Sequence, residues 1–262
     1  MKRQPEGGQA PPVQRLRLRY AKRGPLRFTS HRDFARAFER ALLRASVPIA
    51  YSQGFTPHPK ISYASAAPTG VASEAEYVEI ALREPVDPAA LRTALDAALS
   101  PGLDVIDVVE TPLHGGGSLA DRIDASRWRI ELPDVLDADL AGAVATFLAT
   151  PEILVERLTK QGRRRFDVRA AVVDLRVGSA AEGAPSEVAG TPCAILDLVV
   201  RQVTPTVRPD DVLSGLRVVA ALEPSVPPRA TRLAQGLLTE QGEIVDPLSA
   251  DRNVVVSGAS LR

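Results

Sequence analysis

Between residues 14 and 109 the spacing of apolar residues switches between the period of a strand and that of a helix, which restricts the folds open to the chain. Residues 14–20 alternate polar side chains with leucine or tyrosine, as a half-buried strand does. The predicted elements are a strand at 14–20, a helix at 30–46, strands at 61–64 and 76–82, a helix from Asp87-Pro88 to about 100, and a strand at 103–109. Two helices are thus predicted to alternate with four strands.

The order strand, helix, strand, strand, helix, strand is the split βαβ pattern of ferredoxin-like domains. A similar, less regular series begins after Gly115-Gly116-Gly117, which is typical of a linker. It comprises strand 128–132, helix 134–149, strands 153–158 and 167–177, a loop at 178–190, strand 193–203 and a helix opened by Pro209. We therefore predict an α+β fold of two ferredoxin-like halves in tandem, with mostly antiparallel sheets and helices on one face.

The predicted division of the chain follows from these patterns. It consists of a disordered leader at 1–12, a first domain at 13–111, a linker at 112–125, a second domain at 126–248 and a tail at 249–262. No apolar run approaches the ~20 residues that a membrane-spanning helix needs. The single Cys193 excludes an internal disulfide, and three histidines leave no cysteine- and histidine-rich metal site. We expect a cytoplasmic protein without a metal or cofactor.

Charge is unevenly distributed along the chain. Residues 1–60 contain 13 Lys or Arg against 3 Asp or Glu, whereas residues 61–125 contain 3 basic and 11 acidic residues. Of the 32 basic residues 28 are arginine, whose guanidinium group binds phosphate in bidentate fashion and stacks on bases. The pattern indicates two surfaces of opposite sign for two partners, with RNA as the first candidate for the basic one. The alternative is a solvated cationic surface.

The predicted helix at 30–46 has two sharply different sides. Ser30 is a candidate N-cap, with Asp33 three residues later as a variant of the capping box. Phe34, Phe38 and Leu42 lie on one side, and four arginines recur every fourth residue almost opposite: Arg32, Arg36, Arg40 and Arg44. Like charges at that spacing destabilise a helix. The stripe favours an anionic partner, and the alternative is a solvated amphipathic face.

The segment Gln53-Gly54-Phe55-Thr56-Pro57-His58-Pro59-Lys60 is a candidate functional loop. Pro57 and Pro59 stiffen the chain on both sides of His58, which lowers the entropy cost of using that side chain. Phe55 has no periodic partner and is a candidate for stacking on a base. The alternative is that Phe55 fills the core and His58 caps a turn.

His31 lies in the first turn of the arginine-striped helix, where the helix dipole and the neighbouring arginines oppose its protonation. The alternative is an ordinary surface histidine. If the loop meets the helix start, Arg27, Ser30, His31, His58 and Lys60 form one concave phosphate site beside free backbone N–H groups. That prediction requires the two imidazoles to lie within about 10 Å of each other. Two histidines and a lysine would also permit metal-independent cleavage of RNA.

The second half contains two weaker signals. Residues 160–165, Lys-Gln-Gly-Arg-Arg-Arg, are predicted to form a basic hairpin tip, in which Arg163 and Arg164 contact phosphate or simply favour solubility. Arg229 and Arg232 are three residues apart, a spacing that fits one face of a helix.

Several of these motifs together resemble a bacterial radical-SAM-associated domain of unknown function. They are Ser30-His31-Arg32-Asp33, the arginine-rich helix, Gly54-Phe55-Thr56-Pro57-His58-Pro59-Lys60, Gly70–Glu76 and Asp167-Val168-Arg169. The resemblance covers most of residues 13–236, and the Gly-Phe-x-Pro-His-Pro-Lys loop is its most specific part. Related sequences often have Ser-His-Leu-Asp, where this chain has Arg32. In that family the domain is fused behind a radical-SAM module or made as a separate protein.

The resemblance implies partnership with a separate radical-SAM enzyme, because this chain has no Cys-x3-Cys-x2-Cys cluster of its own. We expect an accessory RNA- or nucleotide-binding protein that is not catalytic by itself. The residues expected to bind RNA phosphate or bases are Arg27, Ser30, His31, Arg32, Arg36, Arg40, Arg44, Phe55, His58, Lys60, Arg163 and Arg164. The alternatives are a protein-only scaffold, or a metal-independent endoribonuclease or RNA-modifying enzyme using His31 and His58. At the level of fold alone, CRISPR repeat-cleaving endoribonucleases are similar.

Overall fold

The fold is taken from a computed structural model that describes residues 10–53, 55–159, 162–179 and 192–252. Most of the predicted leader, the 178–190 loop from residue 180, the tail beyond residue 252, Gly54 and Lys160 lie outside these residues. The protein is a mixed α+β structure with mostly antiparallel sheet pairing. It divides into two compact units: the first combines the chain up to Arg122 with the chain from Asp246, and the second is Ile123–Val245.

The first unit contains the elements that the sequence predicts between residues 14 and 109. They are β1 (Gln14–Lys22), α1 (His31–Arg44), β2 (Ile61–Ala64), β3 (Ala72–Leu82), α2 (Pro88–Ala98) and β4 (Val105–Thr111). The strands are ordered β4-β1-β3-β2, and every neighbouring pair is antiparallel. Strands β1 and β2 are not neighbours in the sheet, so the chain segment that contains α1 crosses from one to the other. Strand β1 lies inside the sheet, between β4 and β3.

Both helices of the first unit begin at the residues that the sequence indicates. The Ser30 hydroxyl accepts a hydrogen bond from the Asp33 N–H at 3.2 Å and donates one to the Asp33 carboxylate at 2.7 Å. The Asp87 carboxylate accepts from the Ala90 N–H at 2.9 Å, and Pro88 occupies the first turn of α2. These caps satisfy N–H groups that have no partner inside the helix.

Helices α1 and α2 pack on the same face of the first sheet. The buried side chains of that core come from both helices and from alternate positions of the strands: Leu16, Leu18, Tyr20, Phe34, Phe38, Leu42, Val78, Ile80, Leu82, Leu91 and Leu95. Because side chains alternate along a strand, the arginines of β1 point to the opposite face of the sheet.

That opposite face holds a buried network of charges. Arg17 is fully buried, and its guanidinium lies 2.8 Å from the Glu79 carboxylate and 3.0 Å from that of Asp251. It also donates to the carbonyls of Gly116 and Gly117. Asp251 accepts from Arg122 at 2.7 Å and from the Thr111 hydroxyl at 3.0 Å. The segment from Asp246 to Arg252 is thereby attached to β1, β3 and β4.

The second unit contains a four-stranded antiparallel core sheet and a separate hairpin. Its elements are β5 (Ala125–Pro133), α3 (Asp137–Ala149), β6 (Leu154–Thr159), β7 (Gly162–Asp167), β8 (Val172–Gly178), β9 (Cys193–Arg201), α4 (Pro209–Ala220), β10 (Arg229–Leu238) and β11 (Ile244–Val245). The main strands are ordered β10-β5-β9-β8, and β11 pairs with β10. Helix α3 packs against α4 and against β8 and β9.

Two predictions for the second unit are wrong. The predicted strand at 167–177 is divided, because Asp167 ends β7 and its carboxylate accepts from the N–H groups of Ile153 and Arg169, which closes the β6–β7 hairpin. The segment with Arg229 and Arg232 is strand β10 and not a helix. Arg232 is buried there and its guanidinium lies over the Trp128 ring, 5.6 Å from its centre, opposite Trp128 in the β10–β5 register.

Candidate nucleic-acid interface

An exposed aromatic side chain lies directly before α1. The turn Gly24–Phe28 precedes Ser30, and Phe28 is 60% exposed. The Arg27 guanidinium lies over the Phe28 ring, 4.8 Å from its centre. A guanidinium beside an exposed aromatic plane is a combination on which nucleic-acid bases stack. The sequence predicts Arg27 as a site residue, and the structure makes the exposed Phe28 beside it a further candidate.

Helix α1 has one fully packed side and one exposed side. Phe34 and Phe38 are buried, and Phe34 stacks on Tyr20 with ring centres 4.3 Å apart. The exposed side carries the four predicted arginines, Arg32, Arg36, Arg40 and Arg44, which we call the arginine face. Aromatic packing on one side fixes the orientation of the helix, so the arginine face is held toward solvent.

Most of the arginine face has no acidic partner among the residues that the structure describes. In the part of the chain that the structure describes, Arg32, Arg36 and Arg40 form no ion pair, whereas Arg44 donates to the Ala98 carbonyl at the end of α2. Three guanidinium groups at four-residue intervals therefore face water at the cost of mutual repulsion. This is the property expected of a surface that meets an anion.

Other arginines of the basic segment pair with residues of the acidic segment. Arg23 lies 2.7 Å from Asp104 and also bonds Glu74. Arg15 lies 3.5 Å from Glu79, the residue that pairs with Arg17. Because β1 lies between β3 and β4, the two oppositely charged segments meet inside one unit. The expected pair of separate surfaces is therefore wrong in part, and among the described residues Arg32, Arg36 and Arg40 of the arginine face form no ion pair.

His31 is exposed at the start of α1 and contacts an aromatic residue of β2. Its imidazole meets the Tyr63 ring edge-on, with ring centres 5.0 Å apart. The Tyr63 hydroxyl is buried and has no hydrogen-bond partner among the described residues. Burial raises the pKa of the Tyr63 phenol, and the negative charge of Glu39 raises it further. Tyr63 therefore stays a neutral hydroxyl beside His31, a neighbour that the sequence did not indicate.

The predicted loop at 53–60 forms the end of a hydrogen-bonded arm. The Ser52 N–H donates to the His58 carbonyl at 2.8 Å, the His58 N–H donates to the Ser52 hydroxyl at 3.0 Å, and the Lys60 N–H donates to the Ala50 carbonyl at 2.8 Å. We call residues 50–60, without Gly54, the histidine arm. Phe55 is 91% exposed, so the alternative that it fills the core is wrong. His58 and Lys60 are exposed as well.

The described contacts include no direct interaction between His31 and His58. His31 contacts Tyr63, while the backbone of His58 bonds Ser52 within the histidine arm. The two residues belong to the same unit, on α1 and on the chain that leads into β2. Their approach to within about 10 Å stays a prediction.

A cleft of 330 Å³ lies between the second half of α1 and the base of the histidine arm. We call it the α1 cleft. One wall is formed by Glu39, Leu42 and Leu43 of α1, and the other includes Tyr51, Pro59 and Arg83. Leu43 is 73% exposed on the same side of the helix as Arg36. Sequence reasoning missed this site because its walls lie far apart in the chain; the only local signal was a leucine beside the arginine stripe.

The predicted basic hairpin in the second unit is present as β6 and β7. Arg163 and Arg164 are exposed on β7, opposite Leu158 and Arg157. Arg163 lies 3.5 Å from Glu156, while Arg157 is held by Asp211 at 2.7 Å. Burial raises the pKa of the Asp211 carboxyl. This effect outweighs the backbone hydrogen bond from Arg208 and the positive charge of Arg157, both of which lower the pKa. Arg163 and Arg164 are thus exposed to solvent on a hairpin that the Arg157–Asp211 ion pair anchors.

Comparison with known families identifies the chain. Residues 15–209 match the model of a family described as an uncharacterized protein conserved in bacteria (DUF2344), so the chain belongs to this family. A search of curated proteins finds no match.

Among the described residues, no helix has the length and apolar character needed to cross a membrane, and no group of three His, Cys, Asp or Glu side chains is placed to hold a metal ion.

Proposed function

We propose that the protein binds RNA, or a nucleotide within it, through the arginine face and the histidine arm. The observation that carries this proposal is that Arg32, Arg36 and Arg40 form no ion pair with any described residue, whereas Arg15, Arg17, Arg19 and Arg23 do. Basic side chains that neutralise phosphates release bound counterions, which is the main source of affinity for a nucleic acid. Arg27, Arg44 and Lys60 add charge around the same helix.

Exposed aromatic side chains favour a single-stranded target. Phe28 and Phe55 are 60% and 91% exposed, on either side of α1 in the sequence. Proteins that bind single strands combine a basic surface with aromatic planes on which bases stack. In this proposal Ser30, His31 and His58 contribute hydrogen bonds to the sugar or phosphate.

Two further features belong to the proposal. Arg163 and Arg164 of the β6–β7 hairpin serve as additional phosphate contacts, supported by their exposure. We also propose that each unit is a ferredoxin-like half, which the strand orders β4-β1-β3-β2 and β10-β5-β9-β8 support. Modules of related architecture present RNA on a four-stranded sheet, but here the proposed contacts are on α1 and its neighbouring arm.

We propose that the protein acts in the cytoplasm as an accessory of a separate radical-SAM enzyme and is not catalytic by itself. The resemblance carried by Ser30–Asp33 and by the Pro57-His58-Pro59 loop supports this partnership. Binding of RNA by one chain and chemistry by another would explain why the exposed histidines are accompanied by phosphate-binding side chains.

Titration of a fluorescent single-stranded RNA with the full chain tests the proposal. We expect binding at about 50 mM salt that weakens as salt is raised, with log K falling by about 0.7 per neutralised phosphate for each unit of log salt. The three arginines without an ion pair among the described residues predict a slope near −2 by that rule, or a steeper slope if Arg27, Arg44, Lys60, Arg163 and Arg164 take part. Fluorescence anisotropy measures both quantities, and absence of binding at low salt would contradict the proposal.

A further inference from the structure

We propose that the α1 cleft is a pocket for one guanine base of the bound RNA. This inference rests on the proposed function, because the arginine face then holds the phosphates beside the cleft. The volume of 330 Å³ lies at the lower end of the range of about 300–1,000 Å³ for small-ligand sites. It suits a single nucleotide unit.

The two walls of the cleft are apolar where a base would lie. Leu42 and Leu43 come from α1, and Tyr51 and Pro59 come from the histidine arm. Tyr51 and Pro59 are paired across the backbone, so their side chains share one face. A flat ring between these walls gains the burial and stacking that single-stranded bases require.

Two charged side chains that line the cleft form few ion pairs with other described residues. The exposed carboxylate of Glu39 forms no ion pair among the described residues, although Arg36 is three residues away on the same side of α1. The Arg83 side chain is 62% exposed and its one described ion pair is to the adjacent Glu84, at 3.5 Å. The cleft therefore offers a carboxylate that accepts hydrogen bonds and a guanidinium that donates them.

Guanine fits this pair of groups better than the other bases do. It presents an N1–H and an amino group side by side for a carboxylate, and O6 and N7 as acceptors for a guanidinium. Adenine, cytosine and uracil offer a carboxylate fewer adjacent donors. An apolar side chain from a protein would instead leave Glu39 and Arg83 beside a group that cannot bond them.

The arginine face provides the phosphate contacts for the same nucleotide. Arg36 lies one turn from both Glu39 and Arg40 on α1, and Arg32 lies one turn before Arg36. A strand that follows these arginines can place one base over Leu43 into the cleft. The two halves of recognition are then separate: the arginines determine affinity, and the cleft determines which base is preferred.

The test compares two RNA probes, a uridine heptamer and the same heptamer with a central guanosine. We expect the full chain to bind the guanosine probe about tenfold more tightly, the discrimination of one good bidentate contact. Glu39→Gln should reduce this preference to less than threefold. The matched control is Glu152→Gln, an exposed carboxylate of the second unit without a described ion pair, which should keep the preference.

The outcomes separate the two claims. Equal binding of both probes by the unaltered chain would overturn the guanine pocket and leave the proposed function intact. A preference that survives Glu39→Gln would overturn the location of the pocket. No binding of either probe would overturn the proposed function itself. Guanosine monophosphate should compete poorly, since it brings one phosphate; competition equal to that of the guanosine probe would assign the cleft to a free nucleotide instead of RNA.

Discussion

Asp251→Ala is expected to lower the free energy of unfolding of the first unit by about 3–5 kcal/mol, the cost of removing one partner from a buried ion pair. The carboxylate is 2% exposed and joins Arg17, Arg122 and Thr111. Its loss leaves the fully buried Arg17 with Glu79 and two backbone carbonyls as partners. Thermal unfolding should shift downward on the order of 10 °C.

Two further variants show whether the loss of negative charge beside the buried Arg17 is the cause. Asp121→Ala removes an exposed carboxylate from the same unit and should change stability by no more than about 0.5 kcal/mol. Arg17→Met combined with Asp251→Ala should be less destabilising than Asp251→Ala alone, because no buried arginine is left short of a partner. Denaturant unfolding measures all three, and an Asp251→Ala protein as stable as the unaltered chain would contradict this description of the network.

Reversing two charges on the arginine face should weaken RNA binding about 10- to 100-fold at about 50 mM salt. The change is Arg36→Glu with Arg40→Glu, which replaces two positively charged groups by groups that repel phosphate. The magnitude of the salt slope should fall by about 1.4, since each phosphate contact to a single strand contributes about 0.7. Fluorescence anisotropy over a series of salt concentrations measures both effects.

The fold should not change in this variant. Arg36 and Arg40 are exposed without described ion pairs, and the new glutamates lie four residues from Arg32 and Arg44, which gives favourable helix pairs. The matched control is Arg176→Glu with Arg217→Glu, two exposed arginines of the second unit with the same total change in charge. If the control weakens binding as much as the α1 variant does, net charge and not the arginine face is responsible.

The parts of the fold that depend on nearby residues were predicted well. Caps at Ser30 and Asp87 need only the residues that follow within one turn, so they can be read from sequence. The two-sided pattern of α1 likewise follows from helical periodicity, and Phe34 and Phe38 are buried as it predicts. The arginine face, which carries the proposed function, is therefore evident from the amino-acid sequence alone.

Features that join distant parts of the chain were not predicted. The alternation in β1 indicated a polar face at Arg17, but nothing local shows that Asp251, 234 residues away, neutralises it. The α1 cleft unites Glu39, Tyr51 and Arg83, which belong to three separate segments. Strand β10 was missed because the charge of Arg232 suggested an exposed helix. In the structure, Arg232 is instead buried against Trp128.

Ultraviolet crosslinking of the full chain to a 4-thiouridine-labelled single-stranded RNA tests the central claim most directly. The crosslinked residues are mapped by mass spectrometry after digestion with a protease that does not cut at arginine, so that α1 peptides stay long enough to identify. We expect crosslinks within residues 24–60, in particular at the exposed aromatic side chains of Phe28 and Phe55. Crosslinks found only outside residues 24–60 would contradict RNA binding at the arginine face and the histidine arm.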